Sequence, residues 1–208
     1  MGFLNATCSL TRFHIQDTIP QEFFPTIPTL LKKYAFQDID EIPEERSFGW
    51  VCFDDMLDAE WQTAQPYKGK YIVFSLRLDT RRIPAGVIKK HLTIAIKEEK
   101  QRISEQNTNF ISRERKKELK EQVLLQLRQR FLPVPSETNV LWSLENNEIW
   151  LASTQGSMID LFMDYFKRTF ALTLEQVTPY TLAAHFLDEN AMIFIDRMEP
   201  TQFVAQTE

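Results

Sequence analysis

Apolar positions along this chain change rhythm twice. Up to about residue 82 and again from residue 132 they come in short continuous or alternating runs, which predict strands, broken by a few stretches of helical spacing. "SFGWVCF" and "KYIVFSLRL" read as two strands separated by a polar, proline-containing connection, and "NVLWSLENNEIWLAST" reads as a β-hairpin turning around Asn146 and Asn147. Residues 3–15, rich in β-branched and aromatic side chains, predict a further strand. In "IPQEFFPTIPTLLKKYAF" the positions Phe23, Ile27, Leu30, Leu31 and Tyr34 predict a helix whose first turns are delayed by Pro25 and Pro28. A second helix is expected in "GSMIDLFMDYFKRTF", with Met158, Leu161, Phe162, Tyr165 and Phe166 on one face. It is followed by a strand in "ALTLEQV" and a last helical piece that Thr178 caps and Pro179 begins. The end from about Asn190 carries only weak patterning.

Between these two parts lies a pair of amphipathic helices. The first starts at Pro84 and runs to about Glu105, with Val87, Ile88, His91, Leu92, Ala95, Ile96 and Ile103 near one face. Ser112 is the expected N-cap of the second, which runs to about Arg130 with Leu119, Val123, Leu127 and Phe131 as its stripe and Leu124 beside it. A short polar turn joins them into a helical hairpin. "LPVP" then ends the second helix, since Pro133 and Pro135 cannot continue it. The order of elements predicts an α+β fold, a mixed β-sheet body with packed helices and an inserted basic helical hairpin. The expected organisation is a discontinuous body of residues 1–82 and 132–190, a hairpin arm of residues 83–131, and a tail of residues 191–208.

Charge sharpens this division. The 208-residue chain has a formal charge of −5, yet the segment from Arg81 to Phe131 holds 14 Lys and Arg against 6 Glu and no Asp, so it carries +8 and the remainder −13. A chain split in sign this way points to a polyanionic partner, with the acidic remainder favouring solubility. A basic helical surface binds nucleic acid mainly by neutralising phosphates, which makes the affinity salt-sensitive and largely blind to sequence. The candidate phosphate contacts are Lys89, Lys90, Lys97, Lys100, Arg113, Lys116, Lys117, Lys120, Arg128 and Arg130, of which about six can meet one duplex. Hydrophobic content of 43% suits one sizeable core, and no apolar run reaches the roughly 18 residues that would span a bilayer. No membrane partner is expected. Cys8 and Cys52, both in strand-like runs without a secretory leader, predict buried thiols in a reducing cytoplasm.

Enzyme signatures are sparse. The five glycines are isolated at positions 2, 49, 69, 86 and 156, which excludes the glycine-rich phosphate loops, and there is no HExxH or paired CxxC. His14, His91 and His185 accompany no recognisable nucleophile motif. Neither a catalytic residue, a metal ligand nor a cofactor is expected. The alternative weighed against DNA binding is a Mg²⁺-dependent nuclease, which needs converging carboxylates; Asp54, Asp55, Asp58 and Glu60, and the acid-x-lysine trio Glu118-Leu119-Lys120, are its candidates. A third possibility is a protein-interaction module in which the hairpin pairs with another helix.

"FGWV" at 48–51, "IPAGVIKKHL" at 83–92, "RKKELKEQVL" at 115–124 and "LWSLENNEIWLAST" at 141–154 resemble, in order and spacing, conserved blocks of the RdgC family of bacterial recombination-associated proteins. The resemblance covers roughly residues 45–185. It implies a DNA-binding protein without sequence preference, nucleoid-associated in the cytoplasm, that forms a two-fold ring with a positively charged hole and limits access of recombinase to DNA. Two departures stand out. Where the family's basic helix ends in a Leu-Leu-Pro-Arg-Ala-Phe-like segment, this chain has "LRQRFLPVP", so Phe131 is the expected counterpart of the family's tip phenylalanine and the expected subunit contact. The family's C-terminal region, which helps to close the ring, has no counterpart after the last helical piece, so a short form is expected either to dimerise through the hairpin tips alone, as a clamp or arch, or to bind as a monomer.

Overall fold

The computed structural model describes residues 2–104 and 110–199. Its strands are β1 (Thr11–Ile15), β2 (Arg46–Val51), β3 (Tyr67–Lys68), β4 (Tyr71–Thr80), β5 (Val134–Ser143), β6 (Glu148–Leu151) and β7 (Leu174–Gln176). Its helices are α1 (Ile27–Lys33), α2 (Ala85–Ser104), α3 (Arg113–Arg128), α4 (Gly156–Phe170), α5 (Pro179–Phe186) and α6 (Glu189–Asp196). The strands form one antiparallel sheet in the order β2-β4-β5-β6-β1-β7, with β3 added alongside β4. Sheet and helices together make an α+β fold.

Strand alternation decides which face is dry. Ile72, Phe74 and Leu76 of β4 share a face with Trp50, Val140, Trp142, Ile149, Leu151 and Phe13, all fully buried. Helix α4 lays Phe162, Phe166 and Phe170 across them, and α1 adds Ile27 and Leu31. Trp50, at the centre, is held at both ends: its ring meets Phe74 edge-on at 5.1 Å, and its indole N–H donates to Thr169 Oγ1 at 2.8 Å. The helical periodicity of α4 thus becomes a single aromatic layer.

The other face mixes apolar and polar side chains where it is covered, with Val51 and Val73 buried on it beside Ser75, Arg77 and Asp79. Arg77 makes a two-pronged ion pair with Asp79, at 2.8 and 2.7 Å, and its guanidinium lies 4.1 Å from the centroid of Phe36. Gly49, opposite Arg77 in register, lets the chain at Ala35 and Phe36 pass: a Cβ there would sit 2.4 Å from the backbone of Phe36. That passing segment also caps the edge of β2, because Phe36 N–H donates to Trp50 O and Trp50 N–H donates to Tyr34 O.

Several expectations change in detail. The strand predicted over residues 3–15 is confined to Thr11–Ile15, so Cys8 lies outside it and is only half-buried, while Cys52 is buried. Both cysteines are free. Prolines 25 and 28 act as expected, with a 3₁₀ turn over Gln21–Thr26 before α1 starts. The weakly patterned end contains a helix, α6, capped by Asp188 Oδ1 accepting from Ala191 N–H. It buries none of its residues, so no strong apolar stripe announces it.

Candidate nucleic-acid interface

Helices α2 and α3 form the connection between β4 and β5, whose residues Thr80 and Val134 are partners in register. The arm therefore leaves and re-enters the body side by side. Arg81, buried at the point of departure, ties this root together. Its Nε donates to Phe131 O at 2.7 Å, Nη2 to Ile39 O at 2.5 Å and Asp40 O at 2.8 Å, and Nη1 to Glu44 O at 2.7 Å and to Ile42 O. Arg128, near the end of α3, pairs with Glu45 at 2.5 Å. Two of the cations in the basic segment thus fasten the arm to the acidic loop of residues 39–45.

Inside the arm, Leu119, Val123 and Leu127 are buried as their spacing predicts, and Ser112 caps α3 by accepting from Arg115 N–H at 3.1 Å. The facing stripe of α2 is only half-buried throughout. Toward the far end the packing becomes ionic. Glu99, the single buried residue of α2, accepts from Arg115 Nε at 2.7 Å and Arg102 Nη2 at 3.1 Å, and Arg115 also pairs with Glu118 at 2.8 Å. The Arg115 hydrogen bond holds the Glu99 carboxyl below the usual carboxylate range; the Arg102 charge helps, and burial opposes both.

The two flanks of the arm differ in charge. Glu98, Glu99 and Arg102 of α2 and Arg115, Gln122 and Gln126 of α3 line a groove of about 310 Å³ on one side of the helix pair. Helical phase then sets Lys89 and Lys100 of α2 and Arg113, Lys116, Lys117 and Lys120 of α3 toward the opposite side, where all six are exposed. Lys90 and Lys97 lie at the border of this flank, also exposed, and Lys117 is 4.0 Å from Glu121. Arg130 is exposed beyond α3, near the root. Of the ten cations singled out in the sequence, Arg128 alone is half-buried, in its pair with Glu45.

Phe131 needs a correction. The sequence places it at the tip of the arm, whereas its carbonyl is bound by Arg81 at the root, because the chain re-enters the sheet at Val134. The far end is the connection between α2 and α3, of which residues 105–109 lie outside the described part. Just beyond them stands Phe110, 75% exposed, with Lys116 Nζ 6.0 Å from its ring centroid. A lone phenylalanine in a polar turn was the signal for it, and the family resemblance at "LRQRFLPVP" drew attention to Phe131 instead.

The acidic candidates are already engaged. Asp54 pairs with Lys68 at 2.5 Å, and Asp55 Oδ1 accepts from Leu57 N–H at 2.9 Å. Burial pushes the Asp58 pKa up, but its carboxylate accepts from the backbone N–H groups of Glu60 at 3.0 Å and Thr63 at 2.6 Å, and the hydrogen bonds together outweigh burial and lower the pKa. Glu60 accepts from Gln62 at 2.7 Å. Glu118, on α3, pairs with Arg115 and stands apart from this loop. Among the described residues no group of three or more His, Cys, Asp or Glu is arranged to hold a metal ion, and no helix is long and apolar enough to cross a membrane.

An antiparallel sheet body that carries a two-helix arm, basic on one flank, defines a class of protein that presents cations away from its core. Over residues 9–187 the chain matches the model of the family described as "Putative exonuclease, RdgC". It belongs to the RdgC family, and so, at family level, among recombination-associated DNA-binding proteins. Comparison with curated proteins returns no match.

Proposed function

We propose that this protein binds DNA without reading its sequence, through phosphate contacts from the basic flank of the arm, and that it acts in recombination by limiting the access of recombinase to DNA. The observation that carries this reading is the segregation of six exposed cations on one flank of the helix pair, whereas Glu98 and Glu99 are balanced by Arg102 and Arg115 on the other. Phosphate neutralisation needs clustered cations and no base-edge readers. An acidic body keeps the remainder of the chain off the polyanion. Cytoplasmic, nucleoid-associated placement follows from the same reading. So does self-association as a homodimer: Phe110, at the exposed end of the arm, is the better candidate for contact between arm ends, and Phe131 for a contact at the root.

Fluorescence anisotropy on random duplex DNA across a salt series tests this directly. Six contacts give a slope of log affinity against log salt of about −5, and Lys89→Ala/Lys100→Ala/Lys116→Ala/Lys120→Ala should flatten it to about −2. A slope near zero in the unmodified chain, or one that the fourfold variant leaves unchanged, sinks the proposal.

The family description favours a second reading, an exonuclease. Incubating end-labelled DNA with and without Mg²⁺ separates the two. Metal-dependent release of nucleotides that is lost in Asp54→Ala or Glu118→Ala would replace the binding reading with the catalytic one. A helical interaction module, the third possibility, predicts no DNA binding at low salt.

A further inference from the structure

On the core face of the sheet, the row Arg46–Thr80–Val134 crosses the end nearest the arm's root, beyond the last aromatic side chains. Helix α4 begins above that row. Between them is a pocket of about 240 Å³ lined by Arg46, Arg82, Thr80, Ser136, Gln155 and Ser157, together with aliphatic side chains and no carboxylate. Neither arginine is in an ion pair among the described residues. Arg46 is positioned instead by stacking, with its guanidinium 5.5 Å from the centroid of Phe48. On the opposite wall Gln155, the N-cap of α4, makes no side-chain capping bond, so no side chain caps the first backbone N–H groups of that helix.

We propose that this pocket is a phosphate-binding site on the body of the protein. Its donors come from three separate parts of the chain: guanidinium groups from β2 and the arm's root, hydroxyls from β4 and β5, and the start of α4. Two cations without a counter-charge, beside hydroxyl donors, match a tetrahedral oxyanion and oppose a neutral or cationic ligand. The volume is below the roughly 300 Å³ at which pockets begin to hold whole drug-sized ligands, so it fits a phosphate group and not a complete nucleotide. Arg82 precedes α2 by three positions, so the pocket lies beside the arm's root. The site rests on the DNA-binding reading only for the source of its phosphate, which is either a backbone phosphodiester or a terminal phosphate.

The test uses the full chain. Titration with inorganic phosphate, followed by amide chemical shifts, should move Gly156 and Ser157 saturably. Arg82→Ala, an exposed residue, and Ser136→Glu, which sets a carboxylate in the pocket, should each weaken that response at least tenfold. On DNA, the same variants should flatten the salt slope by about 1 for circular duplex if a backbone phosphate is the source. If a terminal phosphate is the source, they should instead lower affinity only for 5′-phosphorylated linear DNA relative to its 5′-hydroxyl counterpart. Absence of a saturable shift in the unmodified chain, or a shift that both variants retain, overturns the site, and this readout stands whether or not the arm binds DNA. A phosphate response with every DNA unaffected, while the arm variants lose binding, removes DNA as the source.

Discussion

Replacing Arg81 with Met removes the guanidinium that joins the arm's root to the body while keeping most of the side chain's bulk. Five hydrogen bonds are lost, to the carbonyls of Ile39, Asp40, Ile42, Glu44 and Phe131. Bonds from a charged donor contribute about 1.5–3 kcal/mol each when removed singly, but these do not add in full. The Ile39 bond is wholly buried, whereas the other four are part-buried, so their carbonyls recover water once the loop loosens. The expected loss is therefore about 3–5 kcal/mol, a large part of the roughly 5–15 kcal/mol that stabilises a typical domain. Urea unfolding followed by tryptophan fluorescence measures it, and amide exchange locates it: protection should fall first in residues 39–45 and 129–134. Arg81→Lys should recover only a minor part, because an ammonium cannot reach five carbonyls spread around a planar fork. A loss below about 1 kcal/mol, or accelerated exchange that spares residues 39–45, would refute the argument that one side chain braces the root.

Glu99→Gln should loosen the far end of the arm at neutral pH, seen as faster amide exchange near Ser104 and Ser112 with the sheet unchanged. In the unmodified chain the Glu99 contribution is complete above the ordinary carboxylate pKa of about 4.3 and is lost as pH falls through the depressed folded value, so acid should open this end, and the Gln variant should lack that pH dependence. Gly49→Ala sets a methyl 2.4 Å from the backbone of Phe36, which no side-chain rotation relieves, and should destabilise by about 3 kcal/mol in thermal or urea unfolding.

The periodic parts of the fold were legible because burial and spacing agree. Leu119, Val123 and Leu127 read as one stripe and are buried as one, and Ser112 and Thr178 cap the helices that their positions announce. What the sequence did not disclose depends on contacts between distant residues. Glu99 sits in a run of charged residues that reads as solvated, and only the approach of Arg115, sixteen positions later, buries it. Phe131 looked like an arm tip because the end of the basic helix resembles the family's tip segment; the pairing of Thr80 with Val134 makes that place the root. Cys8 lies in an apolar run with no strand partner, so its thiol stays half-exposed. The six-cation flank was legible as composition, but its separation from Glu98 and Glu99 emerges only when the phases of two helices are set against each other.

The attachment of the arm also has a mechanical side. Its two ends continue into β4 and β5, paired over ten residues from Tyr71↔Ser143 to Thr80↔Val134 in the interior of the sheet. A pull on the arm along its length loads that ladder at one end, where antiparallel strands open one bond at a time instead of sharing the force. Arg81 crosses the first gap to be opened, from the end of one strand to the carbonyl that precedes the other. Under the binding proposal, tension from a DNA strand held on the arm would be met by that guanidinium before it reached the aromatic core, and the arm's grip would be limited by its root as much as by its lysines.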